Sequence, residues 1–108
     1  MIATTDPAIF RGAEDEAWRG LRAAVRLARL GCDAYAYAMV AMGTLDLVVE
    51  AGLKSWDVEA ARALIAGAGG LITDWRGEPI GGDGGQMLIV GDPALLEPAV
   101  ERLRPGAR

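Results

Sequence analysis

Residues 47–74 read LVVEAGLKSWDVEAARALIAGAGGLITD, and this stretch decides the fold of the chain. Its β-branched start predicts a strand over 46–50, and the alanine-rich run after it predicts a helix over 57–67 that ends at a glycine pair. A second strand is predicted over 70–75. Asp57 therefore lies at a helix N-terminus just beyond a strand end, where α/β proteins collect ligands and charges.

The same alternation of strands and helices continues on both sides of this stretch. Hydrophobic periodicity and breaker residues predict strands over 2–5, 26–30 and 86–90, and helices over 14–25, 34–42 and 94–103. This order predicts a layered α/β fold in which helices cover a sheet, and 108 residues suit a single domain, 1–108. The glycine-rich segment 81–85 lacks the Lys-Ser/Thr of a phosphate-binding loop and is interpreted as a flexible loop.

Composition and charge argue against several kinds of partner. The net charge is −4 and no basic stripe is present, so nucleic acid is not expected to bind. The arginines on and after the first predicted helix are interpreted as a solvated face: Arg19, Arg22, Arg26 and Arg29. The longest apolar run, 34–43, is too short to span a bilayer, and the N-terminus lacks the features of a signal peptide. We therefore expect no membrane partner and a cytoplasmic location.

The absence of histidine narrows the chemistry further. It excludes a Ser-His-Asp triad, a Cys-His pair and histidine-ligated zinc. Cys32 is the single cysteine, so the chain can form no internal disulfide and suits a reducing compartment. Because no histidine can activate its thiol, Cys32 is interpreted as a small packing residue and not as a nucleophile.

Several residues near the predicted strand ends are candidates for chemistry. Asp57 is either the N-cap of its helix or a ligand of Mg²⁺, an ion that favours oxygen ligands and usually takes one or two carboxylates. Glu50 either approaches Asp57 across the turn or is solvated at the strand end. Gly31-Cys32-Asp33 opens a helix, where free N–H groups can bind a ligand's oxygens, or it is simply a capped helix start. Trp56 is expected in the core.

These residues carry a resemblance to a known family. Residues 45–57, which end in Trp-Asp, followed by a helix and the glycine-rich run 67–70, closely resemble the C-terminal motif of the inositol monophosphatase family. The resemblance extends upstream to Gly31 and through the final helix. Within the family, residues 4–7, 29–37 and 73–77 are most similar to the histidinol-phosphate phosphatase branch.

The resemblance implies a fold, an activity and a set of site residues. The family's enzymes are Mg²⁺-dependent phosphomonoesterases with a layered α/β fold, and their substrates are small phosphorylated alcohols. By this resemblance, Asp57 matches a metal-binding aspartate and Glu50 matches a glutamate that contacts the alcohol part of the substrate. The substrate-binding set is completed by Arg29 and by the loop Gly31-Cys32-Asp33. A carboxylate at Asp33 suits a cationic amino alcohol such as histidinol better than a neutral polyol.

One departure from the family pattern is large. The family's other metal ligands lie in an N-terminal half, in a Glu-Glu pair and an Asp-Pro-x-Asp-Gly-Thr run, whereas residues 6–10 read DPAIF. We therefore expect a C-terminal half that is inactive alone and that needs the missing N-terminal half, or that self-associates through its exposed apolar face. Two alternatives stay open: an inositol-1-monophosphatase or related small-molecule phosphatase, and a non-catalytic binding module or decayed remnant.

Overall fold

Five strands form one sheet in the part of the chain that the structure describes. This computed structural model describes residues 1–31, 36, 37, 39, 40, 42, 43, 45–80 and 85–108. The strands are β1 (Ile2–Thr4), β2 (Ala28–Leu30), β3 (Leu47–Leu53), β4 (Leu71–Thr73) and β5 (Gly85–Val90). The sheet order is β2-β1-β3-β5-β4. Since β1 runs parallel to both β2 and β3, the carboxyl ends of these three strands meet at one edge of the sheet.

Helices cover both faces of this sheet. The α-helices are α1 (Ala13–Ala23), α2 (Ser55–Ala68) and α3 (Leu96–Leu103), and residues 36, 37, 39 and 40 are also helical. Short 3₁₀ helices are present at Pro7–Ile9, Pro93–Leu95 and Arg104–Gly106. None of the helices among the described residues is long and apolar enough to cross a bilayer.

Alternation along β3 creates two hydrophobic cores. Leu47 and Val49 pack on one side of the sheet, with residues of α1 and α3 such as Trp18 and Leu103. Val48 belongs to the second core, on the other side, which includes the inward residues of α2: Val58, Ala61 and Ile65. Because successive side chains of a strand point to opposite faces, this two-sided burial gives the three-layered α/β architecture that the sequence predicts.

The predicted elements are confirmed, with shifts at their ends that have physical causes. β3 runs on to Leu53, three residues beyond its predicted end, through an irregularity in its pairing with β5 between Glu50 and Leu53. Gly52 adopts a φ of 70° there, a left-handed conformation that glycine tolerates. The last predicted helix, 94–103, divides into Pro93–Leu95 and α3. The start of the predicted helix 34–42, with its expected cap Asp33, and most of the loop 81–85 lie outside the described residues.

Candidate active site: an acidic cleft at the end of β3

A cleft of about 520 Å³ opens at the carboxyl ends of β1 and β3, beside the start of α2. We call it the acidic cleft, and its described lining includes Thr5, Tyr37, Glu50, Trp56 and Asp57. Two carboxylates, two aromatic side chains and a hydroxyl therefore border one space. No basic side chain is found among the described residues of this lining. The local charge suits a cation or the cationic part of a ligand.

Glu50 is a buried carboxylate with defined hydrogen-bond donors. Its residue is only 2% exposed, and Oε1 accepts hydrogen bonds from the backbone N–H of Thr5 at 2.8 Å and from Thr5 Oγ1 at 2.9 Å. The alternative of a solvated strand end is therefore wrong. The parallel pairing of β1 with β3 explains the burial, because it brings the residue after β1 against the side chain of Glu50.

Asp57 is the third residue of α2 and not its N-cap. The helix begins at Ser55 with Lys54 as the capping residue, and Asp57 Oδ2 accepts a hydrogen bond from the Lys54 N–H at 3.1 Å. The prediction of an N-cap at Asp57 is wrong by three residues, but the carboxylate still satisfies an N-terminal donor near the positive helix end. A carboxylate has about four lone-pair sites, so this bond leaves capacity for a metal ion.

Trp56 does not lie in the core, as was expected, because its residue is 70% exposed. The reason is helical periodicity: the buried side of α2 is formed by Val58, Ala61 and Ile65, and Trp56 falls on the opposite side. Trp56 lines the acidic cleft instead. Sequence analysis also missed Thr5 and Tyr37 as lining residues, and the position of Thr5 at the carboxyl end of a predicted strand was the signal available for it.

The other predicted substrate residues divide into three groups. Gly31 lies beside the acidic cleft, because its N–H donates to the carbonyl of Thr5 at 2.8 Å, with a φ of 80° that favours glycine. Arg29 is exposed on β2, opposite Ala3 of β1, and is not among the described residues that line the cleft. Cys32 and Asp33 lie outside the described residues. The substrate contacts of all four residues stay predictions.

The carboxylates of the acidic cleft fit part of the coordination shell of a magnesium ion. Mg²⁺ takes oxygen ligands and is usually held by one or two carboxylates together with water and substrate phosphate, and Glu50 and Asp57 offer two carboxylates in one cleft. Among the described residues, no group of three or more His, Cys, Asp or Glu side chains could hold a metal ion.

Together, the layers of helices on both faces of the sheet and the cleft lined by Glu50 and Asp57 define an α/β protein with an acidic cleft. The chain belongs to the inositol monophosphatase family, whose pattern it matches over residues 4–104. It is 47% identical, over 77 residues, to the bifunctional phosphatase IMPL2 of Arabidopsis thaliana, and 30% identical, over 77 residues, to Nus factor SuhB of Pasteurella multocida. It superposes on an inositol monophosphatase structure from Zymomonas mobilis with a TM-score of 0.91 and 36% identity.

The similarity covers most of this chain but a smaller part of each relative. The two aligned sequences each include 71% of this chain, and they represent 22% of the Arabidopsis protein and 28% of the Pasteurella protein. The superposition covers 95% of this chain and 41% of the Zymomonas chain. The 108 residues thus span less than half the length of these relatives.

Proposed function

We propose that this chain contributes part of the active site of a Mg²⁺-dependent phosphomonoesterase. The observation that carries the proposal is the acidic cleft itself, in which Glu50 and Asp57 lie together at the end of β3. In this proposal Asp57 is a ligand of the metal ion, and Glu50 contacts the alcohol portion of the substrate. Membership of the inositol monophosphatase family supports the reaction class.

Hydrogen bonds orient each of the two carboxylates of the cleft. Thr5 holds Oε1 of Glu50 with two hydrogen bonds, which orients the carboxylate, and the Gly31 N–H fixes the carbonyl of Thr5 in turn. The bond from the Lys54 N–H orients Asp57 toward the start of α2. When bound, the metal ion activates a water molecule and neutralises charge on the phosphoryl group. Burial of Glu50 strengthens its interaction with a cationic ligand, because water screens it poorly there.

The remaining metal ligands come, in this proposal, from polypeptide outside these 108 residues, which we call the completing segment. Asp57 is one ligand of a magnesium site, and the proposal needs further ligands, a base and a phosphate-binding turn. The small share of each relative that this chain spans supports the same view. We therefore expect the 108-residue chain to be inactive alone and active when the completing segment is supplied.

For the substrate we propose histidinol phosphate, a cationic amino-alcohol ester of histidine biosynthesis. The carboxylates of Glu50 and Asp57 and the aromatic rings of Tyr37 and Trp56 favour a cationic organic group over a neutral polyol. The motif at residues 29–37, with its additional carboxylate at Asp33, supports the same choice. The proposal includes a cytoplasmic location, which suits an unpaired Cys32.

Inositol-1-phosphate is the second candidate substrate, and the similarity to the Zymomonas inositol monophosphatase favours it. A non-catalytic binding module is the remaining alternative, and the similarity to a protein named as a Nus factor supports it. These three functions differ in whether phosphate is released and from which ester, so one assay separates them.

The test is release of inorganic phosphate from histidinol phosphate and from inositol-1-phosphate, with and without Mg²⁺. We expect no turnover by the 108-residue chain, and Mg²⁺-dependent turnover of histidinol phosphate when it is co-expressed with the completing segment. As that segment we use the part of the Zymomonas enzyme that lies outside the superposed region, which covers 41% of that chain. Asp57→Asn should lower kcat by at least ~10³-fold, whereas Glu101→Gln, an exposed change on α3, should not.

Robust hydrolysis by the chain alone would contradict the need for a completing segment. Full activity of the Asp57→Asn complex would contradict the metal-ligand role of Asp57. A complex that releases phosphate from inositol-1-phosphate but not from histidinol phosphate would replace the proposed substrate by the second candidate. A well-folded complex that releases no phosphate from either ester would favour the binding module.

A further inference from the structure

We propose that Thr5 is a positioning residue whose hydroxyl holds Glu50 as a fixed counter-charge for a cationic ligand in the acidic cleft. Thr5 acts through the carboxylate of Glu50 and not by direct contact with the reacting atoms. The inference rests on the proposed function for the class of ligand, a cationic amino alcohol. It adds the residue on which the preference for such a ligand over a neutral polyol depends.

The two hydrogen bonds from Thr5 meet on one oxygen of Glu50. The backbone N–H donates to Oε1 at 2.8 Å, and Thr5 Oγ1 lies 2.9 Å from the same oxygen. The last torsion of a glutamate side chain is broad, so a single donor leaves the carboxylate plane free to turn, whereas two donors on one oxygen fix its position. Because Glu50 is buried, protein donors must also replace the water around its charge.

The backbone on both sides of Thr5 is held in place by other hydrogen bonds. The Gly31 N–H donates to the carbonyl of Thr5 at 2.8 Å, which ties it to the end of β2. The next residue, Asp6, caps the short helix Pro7–Ile9 and accepts a hydrogen bond from the Ala8 N–H at 2.9 Å. These bonds keep the hydroxyl of Thr5 against Glu50.

The neighbouring threonine, Thr4, has no such role. Alternation along β1 places Ile2 in one core and Ala3 in the other, so Thr4 points to the face of the sheet opposite to Thr5. Thr4 is buried, and its hydroxyl has no hydrogen-bond partner among the residues that the structure describes. The same substitution at Thr4 therefore serves as a matched control for Thr5.

The inference is tested by calorimetric titration of the 108-residue chain with histidinol and with neutral myo-inositol. We expect the wild-type chain to bind histidinol at least ~tenfold more tightly than myo-inositol, because a buried charge is poorly screened. Thr5→Val keeps the shape of the side chain but removes the hydroxyl, and it should weaken histidinol binding about tenfold. Thr5→Ser restores the hydroxyl and should bind nearly as wild type does, and so should Thr4→Val.

Kinetics of the co-expressed complex give a second readout that a merely structural role would not produce. Thr5→Val should raise KM for histidinol phosphate about tenfold and leave kcat nearly unchanged, because it alters binding of the organic group and not the metal ligands. Circular dichroism melts of the variants establish that each one is folded before affinities are compared.

The outcomes separate this inference from the proposed function. Equal histidinol affinity of Thr5→Val and wild type, a loss in Thr5→Ser as large as in Thr5→Val, or a wild-type chain that does not prefer histidinol would each overturn the role of Thr5. An active complex in which Thr5→Val leaves KM unchanged would also overturn it and would leave the proposed function intact. Histidinol binding that depends on Thr5, with no phosphate release by the complex from any tested ester, would refute the proposed function alone.

Discussion

Two buried glutamates show how single residues join distant parts of this chain. Glu50 receives both of its described hydrogen bonds from Thr5, which is 45 positions earlier in the sequence. Glu14 on α1 accepts hydrogen bonds at 2.7 Å from Gln86 Nε2 and from the Arg108 side chain, 72 and 94 positions later. One carboxylate orients a site, and the other ties the C-terminal residues to α1 and β5.

Contacts between residues that are distant in the sequence, such as Thr5 and Glu50, could not be predicted from the sequence. The proximity of Thr5 to Glu50 depends on strand order, since β1 must insert between β2 and β3, and local patterns carry no information on that order. The exposure of Trp56 was predictable, because the spacing of Val58, Ala61 and Ile65 already defines the buried side of α2. We predicted a core position for Trp56 from its large apolar side chain and not from the helical periodicity, and that prediction was wrong.

Glu14 gives a prediction for the pH dependence of stability. Burial by itself would raise its pKa, but hydrogen bonds from Gln86, the Arg11 N–H and Arg108, with the charge of Arg108, hold the pKa of Glu14 below the ordinary 4.5. A lowered folded-state pKa means that the stabilisation is fully present above 4.5 and is lost as pH falls through the lower folded value.

Glu14→Gln should therefore lower the free energy of unfolding by about 1–3 kcal/mol at neutral pH, because a buried, hydrogen-bonded charge is replaced. The difference between wild type and variant should shrink as pH falls below 4.5, which urea titrations at several pH values measure. Glu101→Gln, on the exposed side of α3, is the control. A difference that grows on acidification would contradict the assigned direction of the pKa.

At the scale of elements, the connection from β3 to α2 and on to β4 builds the site. β3 extends past Glu50 to Leu53, so that α2 starts at once and Asp57 is placed in its first turn beside the strand end. The sequence predicted each of these elements from its periodicity. It did not predict their ends, because the irregular pairing of β3 with β5 depends on a strand that is more than thirty residues away.

Alanine substitutions at Gly67, inside α2, and at Gly70, just after it, should change the free energy of unfolding in opposite directions. A Cβ at Gly70 would meet the Val90 carbonyl oxygen at 2.7 Å and Ile65 Cγ2 at 3.1 Å, so Gly70→Ala forces apart α2 and the end of β5. We expect a loss of about 1–3 kcal/mol in the free energy of unfolding. At Gly67, inside the helix, a Cβ meets nothing within 4 Å, and Gly67→Ala should add roughly 0.5–1 kcal/mol.

Urea unfolding of both single variants measures these differences from the shift in midpoint. Because Gly67 is exposed, the comparison is made on the 108-residue chain alone. Equal midpoints for Gly70→Ala and wild type would show that helix and strand are not packed as closely as the structure has them.

At the scale of the whole molecule, one sheet separates two hydrophobic cores. The sheet is covered on both faces, and both cores are formed from this chain. The acidic cleft lies at the edge of this sheet where β1 and β3 end, beside the start of α2. The sequence predicted the layered fold and the position of Asp57 just beyond a strand end. The apolar face that a missing half would expose stays a prediction.

The central claim is that Asp57 shares a divalent cation with acidic groups from outside these 108 residues. Binding of Mn²⁺, which takes the same kind of oxygen ligands as Mg²⁺, measures this directly by electron paramagnetic resonance. We predict weak binding by the chain alone, binding at least ~tenfold tighter after co-expression with the completing segment, and loss of that gain in Asp57→Asn. Binding by the Asp57→Asn complex that is as tight as wild type would contradict the claim.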